Sequence, residues 1–218
     1  MASVKTLIKS FEKFMRKCRF KGKKIKNSDV SILCNCCIGG LMYHDVNHRF
    51  LSPTINLFFS HHCFIDFVNN LEQYSDAELA DTGKFDEGDG GRFAPIGVLK
   101  KTGLPDIEIH FLHYSSFEEA AKKWHERYER INREKIFLVI EAKAEHEHQL
   151  IDEYAALPYP KIIFTDLPDD REKSVMHMKV YDKNQSITQF VGSLGKRGYD
   201  EYDFVKNIFN RKYSGEQL

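Results

Sequence analysis

Two short apolar runs, KIFLVI (135–140) and KIIFTD (161–166), flank the segment EHEHQLIDEYAAL, which reads as a helix. Strand, helix and strand in that order imply a crossover between strands of one sheet, and such crossovers join parallel strands. DVSILCN (29–35) reads as a short buried strand, and SVMHMKVYD (174–182) as another. APIGVLK and DIEIHFLHY have β character and are joined by KTGLP, so a hairpin is expected between them. TINLFF (54–59) is extended or opens a helix, while the glycines and charges of DTGKFDEGDGGR (81–92) predict a loop. Phe64, Phe67, Val68 and Leu71 keep helical spacing, and Ser116 with Glu119 forms a capping box for a helix running to about Asn132. DEYDFVKNIFNRKY (200–213) predicts a closing helix. The expected class is α/β: a three-layer sandwich with a mixed, partly parallel sheet, preceded by an N-terminal amphipathic helix. Ligands of such sheets bind beyond the carboxyl ends of the strands, which places Asn35 to Gly40, Glu141 and Thr165 near one rim.

The formal net charge of zero conceals a division of the chain. Residues 1–26 carry ten Lys and Arg against Glu12 alone, a net of +9, and the remainder is −9. Val4, Leu7, Ile8, Phe11, Phe14, Met15 and Cys18 recur at steps of three and four, so one helix face is apolar and the other basic. Two organisational units are expected: a basic leader helix over 1–26 and a single α/β domain over 27–218. The leader suits either the surface of an anionic membrane or docking on the acidic body. The acidic body offers no continuing surface for phosphate backbones, so no nucleic-acid partner is expected. No run of 18 apolar residues spans a membrane, and no secretory signal opens the chain. Five cysteines, three of them within four positions, fit a reducing compartment better than a disulfide framework. The expected location is cytoplasmic, peripheral on the inner face of the cell membrane.

The densest chemistry lies in SILCNCCIGGLMYHDVNHRFLSPTINLFF (31–59). Cys34, Cys36 and Cys37 with His44 or His48 are soft and imidazole ligands, but within a strand Cys37 points away from the other two and no second C-x-x-C follows. No metal site is expected. A nucleophilic thiol would need a base such as His44 or His113 and a setting that lowers its pKa. Gly39-Gly40 after a strand permits close approach of backbone to a phosphate or sugar, or simply a tight turn. The full glycine-rich dinucleotide and Walker patterns are absent, and no cofactor is expected. Ser52, Pro53 and Thr54 form a turn whose hydroxyls cap the next element or, with Asn56, contact sugar hydroxyls. In SSFEEAAKKWHERYERIN, Trp124 faces inward while Lys123, Arg127 and Arg130 line an edge able to hold a diphosphate; Lys123 and Arg130 also form i,i+4 pairs with Glu119 and Glu126. His110 and His113 precede this helix, and His113 with Tyr114 could supply a general base.

CNCCIGG, LSPTINLFF, FVNNLEQY, APIGVL, IEIHFLHY, EEAAKKWHERYERIN and KIIFT, in that order over about 29–166, resemble the domain-of-unknown-function 1919 family. Its members are often associated with exopolysaccharide or capsular polysaccharide biosynthesis. Asn35, Cys37, Gly39 and Gly40 match the family's S-N-N-C-W-G-G pattern, whereas Cys34, Cys36 and Ile38 depart from it; Trp124, Arg127, Arg130, Ile131 and Asn132 match W-x-x-R-x-x-R-I-N. The resemblance implies an enzyme of surface-polysaccharide assembly, a glycosyl or related group transferase acting on a sugar or sugar-diphosphate ligand. The chain has no D-x-D, so that reading requires a metal-independent mechanism. It would lean on Arg127 and Arg130, with His113 or Glu141 as catalytic base and Asn35, Cys37, Gly39, Gly40, Ser52, Pro53, Thr54, Asn56, Tyr114 and Trp124 shaping the pocket. The alternatives are a non-catalytic carbohydrate-binding or assembly factor and a thiol-dependent hydrolase or acyltransferase.

Overall fold

The computed structural model describes residues 4–88, 92–143, 148–167, 173–183, 185–191 and 194–213. Four parallel strands form the central sheet in the order β1 (Ser31–Cys34), β5 (Ile136–Ala142), β6 (Lys161–Thr165) and β7 (Val175–His177). Side chains alternate across a strand, and this alternation sorts the apolar residues into two cores. Leu33, Leu138, Ile140 and Ile163 face a layer containing α3 (His61–Asn69), α4 (Phe117–Tyr128) and α5 (His148–Ala156). Ile32, Cys34, Phe137, Val139, Ile162 and Phe164 face α2 (Ile38–Asp45) and the chain from Met178 to Tyr213. Helices or coil therefore cover both faces, giving the layered α/β architecture.

The antiparallel strands segregate into a second sheet, β2 (Glu78–Gly88), β3 (Arg92–Lys100) and β4 (Ile107–His110). The hairpin through KTGLP is present. Residues 81–88, read as loop, belong instead to β2, which pairs with β3 across a register shift between Asp81 and Phe85. The strand is polar because it is largely solvent-exposed, and Gly83 sits at φ 69° where the register shifts. TINLFF neither runs as a strand nor opens a helix: it bends at Ile55 and Asn56, and beyond the bend Phe58 pairs with His110 and ties the segment to the second sheet.

Two predicted helices are shorter than their periodicity. α4 begins at the Ser116 cap, whose hydroxyl accepts from the Glu119 N–H, and ends at Tyr128. Beyond it the Asn132 side chain accepts from the Glu134 N–H, a local bond that turns the chain toward β5. The helix over 200–213 is reduced to a turn at Gly198–Glu201 and a π-helical turn at Val205–Phe209. The Asp203 carboxylate, accepting from the Lys206 N–H, starts a new turn there and breaks the run.

The edge strand β1 is finished by side chains. The Tyr43 hydroxyl accepts from the Ile32 N–H and donates to the Val30 carbonyl, both at 2.8 Å, and Thr54 Oγ1 accepts from the Cys34 N–H at 2.9 Å. An unpaired strand edge invites association with another chain; here hydroxyls occupy these outward groups. The leader forms helix α1 (Val4–Phe20), docked on the domain through Arg16 and Phe20. Among the described residues no helix is long and apolar enough to cross a membrane.

Candidate functional site at the carboxyl rim of the parallel sheet

Asn35 sits immediately past β1 and extends its ladder with a side chain. Its Oδ1 accepts from the Glu141 N–H and its Nδ2 donates to the Glu141 carbonyl, each at 2.9 Å. Only an amide offers donor and acceptor in the geometry of a peptide group, so Asp could not make both bonds. The pairing fixes the ends of β1 and β5 and presents the Glu141 carboxylate at the rim. There Oε1 accepts from the Tyr181 hydroxyl at 2.7 Å and lies 3.4 Å from Lys143 Nζ, which itself stands 4.5 Å over the Tyr181 ring. Burial, reinforced by the Glu141 charge, keeps the Tyr181 phenol protonated far above its ordinary range. Asp166, one residue past β6, also acts electrostatically on Tyr181, and its Oδ1 is buried with no hydrogen-bond partner among the described residues. This end of the rim is an acidic pole.

Residues 36 and 37 divide their thiols between two surroundings. Cys36 Sγ lies 3.6 Å from Cys34 Sγ. That contact, with burial and the nearby Glu141, raises the Cys36 thiol well above its usual pKa, so it is a neutral thiol near pH 7. Cys37 Sγ donates weakly to the Leu57 carbonyl at 3.8 Å and interacts electrostatically with Tyr114. Among the described residues, no three His, Cys, Asp or Glu side chains are placed to hold a metal ion.

Tyr114 opens the cationic pole. Its hydroxyl donates to the Ile55 carbonyl at 3.1 Å and accepts from Arg127 Nη1 at 2.7 Å. The Arg127 guanidinium lies 5.1 Å from the Phe50 ring centre. The residue is only 9% exposed, and no carboxylate lies within ion-pair distance of it among the described residues. A buried cation is normally paired with an anion, because withdrawing an unpaired charge from water is expensive. Arg127 is held instead by a phenol and an aromatic face.

The other residues singled out in the sequence take up varied places. Arg130 turns to Glu126, 3.6 Å away, so the two arginines do not form one fork. Trp124 is 2% exposed and packs among Phe59, Phe67, Phe111 and Tyr128. Ser52 and Thr54 are fully buried, with their hydroxyls 2.8 Å apart; Pro53 is buried between them, and its carbonyl accepts from the Ile55 N–H. A Cβ on Gly39 would meet Cys34 Cβ at 3.0 Å, and one on Gly40 would meet Ile55 Cγ2 at 3.2 Å, so both glycines set the closeness of α2 to β1 and the 52–56 loop. Asn56 is in left-handed backbone conformation at φ 64°, its Oδ1 near Gly40. His113 is exposed. The EHEH tract lies outside the described residues up to 147. Tyr181, Phe50 and Asp166 were not singled out in the sequence. Asp166 follows strand KIIFT, so the carboxyl-end rule that selected Glu141 also selects it; nothing local marks Tyr181 or Phe50.

The parallel sheet, covered on both faces, is a layered α/β architecture, and in that class ligands ordinarily sit beyond the carboxyl ends of the strands. The family described as Domain of unknown function (DUF1919) matches residues 7–210, and the chain belongs to that family. A Haemophilus influenzae protein described as uncharacterized is 31% identical over 191 residues, covering 84% of this chain and 86% of its own length.

Proposed function

We propose that the rim binds a sugar diphosphate and that the protein is a metal-independent glycosyl or related group transferase of surface-polysaccharide assembly. The observation that carries the reading is Arg127, a buried guanidinium with no carboxylate beside it among the described residues. A diphosphate would supply the missing charge, accepting from Arg127 as the Tyr114 oxygen does now. Cys37, which interacts electrostatically with Tyr114, is followed back along the chain by Cys36 of the acidic pole, and Glu141 is the base of that pole. In the reaction the acceptor hydroxyl attacks the anomeric carbon and its proton passes to the Glu141 carboxylate. The bond between the anomeric carbon and the diphosphate oxygen breaks, and the charge on the departing diphosphate is offset by Arg127. Preorganised charge of this kind stabilises the transition state without a metal.

One observation favours a non-catalytic carbohydrate-binding role instead: the Glu141 carboxylate is already engaged by Tyr181 and Lys143. The thiol-dependent reading gains nothing from Cys36, whose raised pKa makes it a weak nucleophile at neutral pH.

Incubating the protein with nucleotide sugars separates these readings. Binding near 100 times the dissociation constant should stabilise the fold by about 2.7 kcal/mol. Stabilisation with release of nucleoside diphosphate, the release lost in Glu141→Gln, supports the transferase. Stabilisation without release in the presence of oligosaccharide acceptors supports the binding factor. No stabilisation by any nucleotide sugar or diphosphate overturns both.

A further inference from the structure

Amphipathic helices ordinarily dock by their apolar face; α1 docks by the opposite one. Its contacts with the domain run through Arg16, which holds Asp45, Asp200 and the Gly195 carbonyl, and through Phe20, packed 5.3 Å from the Phe204 ring. Gly195 lies against the α1 backbone: a Cβ there would meet the Glu12 carbonyl and come within 2.6 Å of the Arg16 nitrogen. Glu12 and Met15 are half-buried at the margin. Leu7, Ile8, Phe11 and Phe14 are 61%, 53%, 58% and 62% exposed. At the pitch of an α-helix these four fall within an arc of about 120°, on the far side from Arg16 and Phe20. The domain has therefore fastened the polar side of α1 and left a row of large apolar side chains facing water.

Cations occupy much of the rest of the exposed helix surface and the segment that follows it. Lys9, Lys13 and Lys17 are exposed on α1, Arg19 borders the stripe, and Lys21, Lys23, Lys24 and Lys26 extend the exposed basic surface past its end. Glu12 is the one acid among residues 1–26. We propose that the exposed stripe of α1 is an interfacial anchor that seats the protein on an anionic lipid surface. Leu, Ile and Phe enter the acyl boundary while the lysines meet the headgroups. A second copy of the chain is a poor occupant, because joining two α1 stripes would bring together two segments of net charge +9. The fixed Arg16 latch means that the anchor is presented already folded, so binding need not fund the ordering of a helix. The inference does not depend on the reading of the rim.

The test is sedimentation of the full chain with phosphatidylcholine vesicles, with and without one-third phosphatidylglycerol. The expected result is at least tenfold stronger partitioning onto the anionic vesicles, weakened by salt, with each Lys→Gln change at 9, 13 or 17 lowering it about fivefold. Phe11→Ser with Phe14→Ser should abolish binding while leaving the melting temperature unchanged, since both positions face solvent. Three results overturn the proposal: no co-sedimentation of the wild type with anionic vesicles, binding retained by the double variant, or a dimer in light scattering that the double variant dissolves.

Discussion

Among the described residues two arginines are buried, and their surroundings are opposite. Arg16 of α1 is flanked by two carboxylates, Asp45 and Asp200, with the Tyr199 ring 4.9 Å from its guanidinium carbon and the Tyr199 hydroxyl donating to Asp45 at 2.5 Å. Burial works against its charge, and the bonds to Asp200 and Asp45 more than reverse that. Arg127 of α4 has a phenol and a phenyl ring and, among the described residues, no acid. The first arrangement is complete and fastens one element to another. The second has no counter-charge among the described residues, and the proposed diphosphate would supply one. Residue type is the same and both side chains are buried; the neighbouring carboxylates set the latch apart from the proposed ligand site.

The largest expected effect comes from breaking the complete site. Arg16→Met should cost about 3–5 kcal/mol, because Asp45 and Asp200 remain buried without a counter-charge; urea unfolding measures it. A loss under about 1 kcal/mol would mean that the pair is hydrated and that α1 is not latched by it. Gly195→Ala comes next. It combines a backbone held at φ 65° with a Cβ driven into α1, and a loss of about 1–3 kcal/mol is expected. The same urea curves would show it, and an unchanged midpoint would place α1 farther from residue 195 than described. Smaller still is Arg127→Met without ligand. It forfeits one hydrogen bond and leaves no orphaned acid, so about 1 kcal/mol is expected, and the contrast with Arg16→Met is the sharpest form of the comparison.

The last effect shows only in alkali. Each arginine has a phenol beside it, and burial raises both Tyr199 and Tyr114, with Asp45 raising Tyr199 further and Arg127 holding Tyr114 back. The folded state therefore keeps protons that the unfolded state releases near pH 10. Stability from these groups is fully present below pH 10 and falls as pH rises, by about 1.4 kcal/mol per pH unit for each proton retained. Tyr114→Phe should flatten part of that slope in unfolding curves collected from pH 9 upward; an identical slope would remove Tyr114 from the account.

The crossover from KIFLVI to KIIFTD made the parallel sheet legible, and Ser116 made the start of α4 legible, because both signals are local. Periodicity identified the apolar face of α1 but not which face would dock, since a helix repeats the same pattern whether its partner is protein or something else. The hairpin strand at 81–88 was hidden because exposed strands need no apolar alternation. Asn35, Glu141, Tyr114 and Arg127 were singled out from the residues alone, and Arg127 is set apart from Arg130 only by burial, which no spacing encodes. Ser52 and Thr54 were recognised as hydroxyls able to cap, while the group they serve, the edge of β1, lies some twenty residues back and depends on tertiary contact.

An anion proposed to answer the buried charge of Arg127 should be visible in the unfolding free energy of wild type and Arg127→Met measured against pyrophosphate concentration. The wild type should gain stability with the logarithm of pyrophosphate above the dissociation constant while the variant stays flat. Parallel responses in the two proteins, or no response in the wild type, would contradict the proposal.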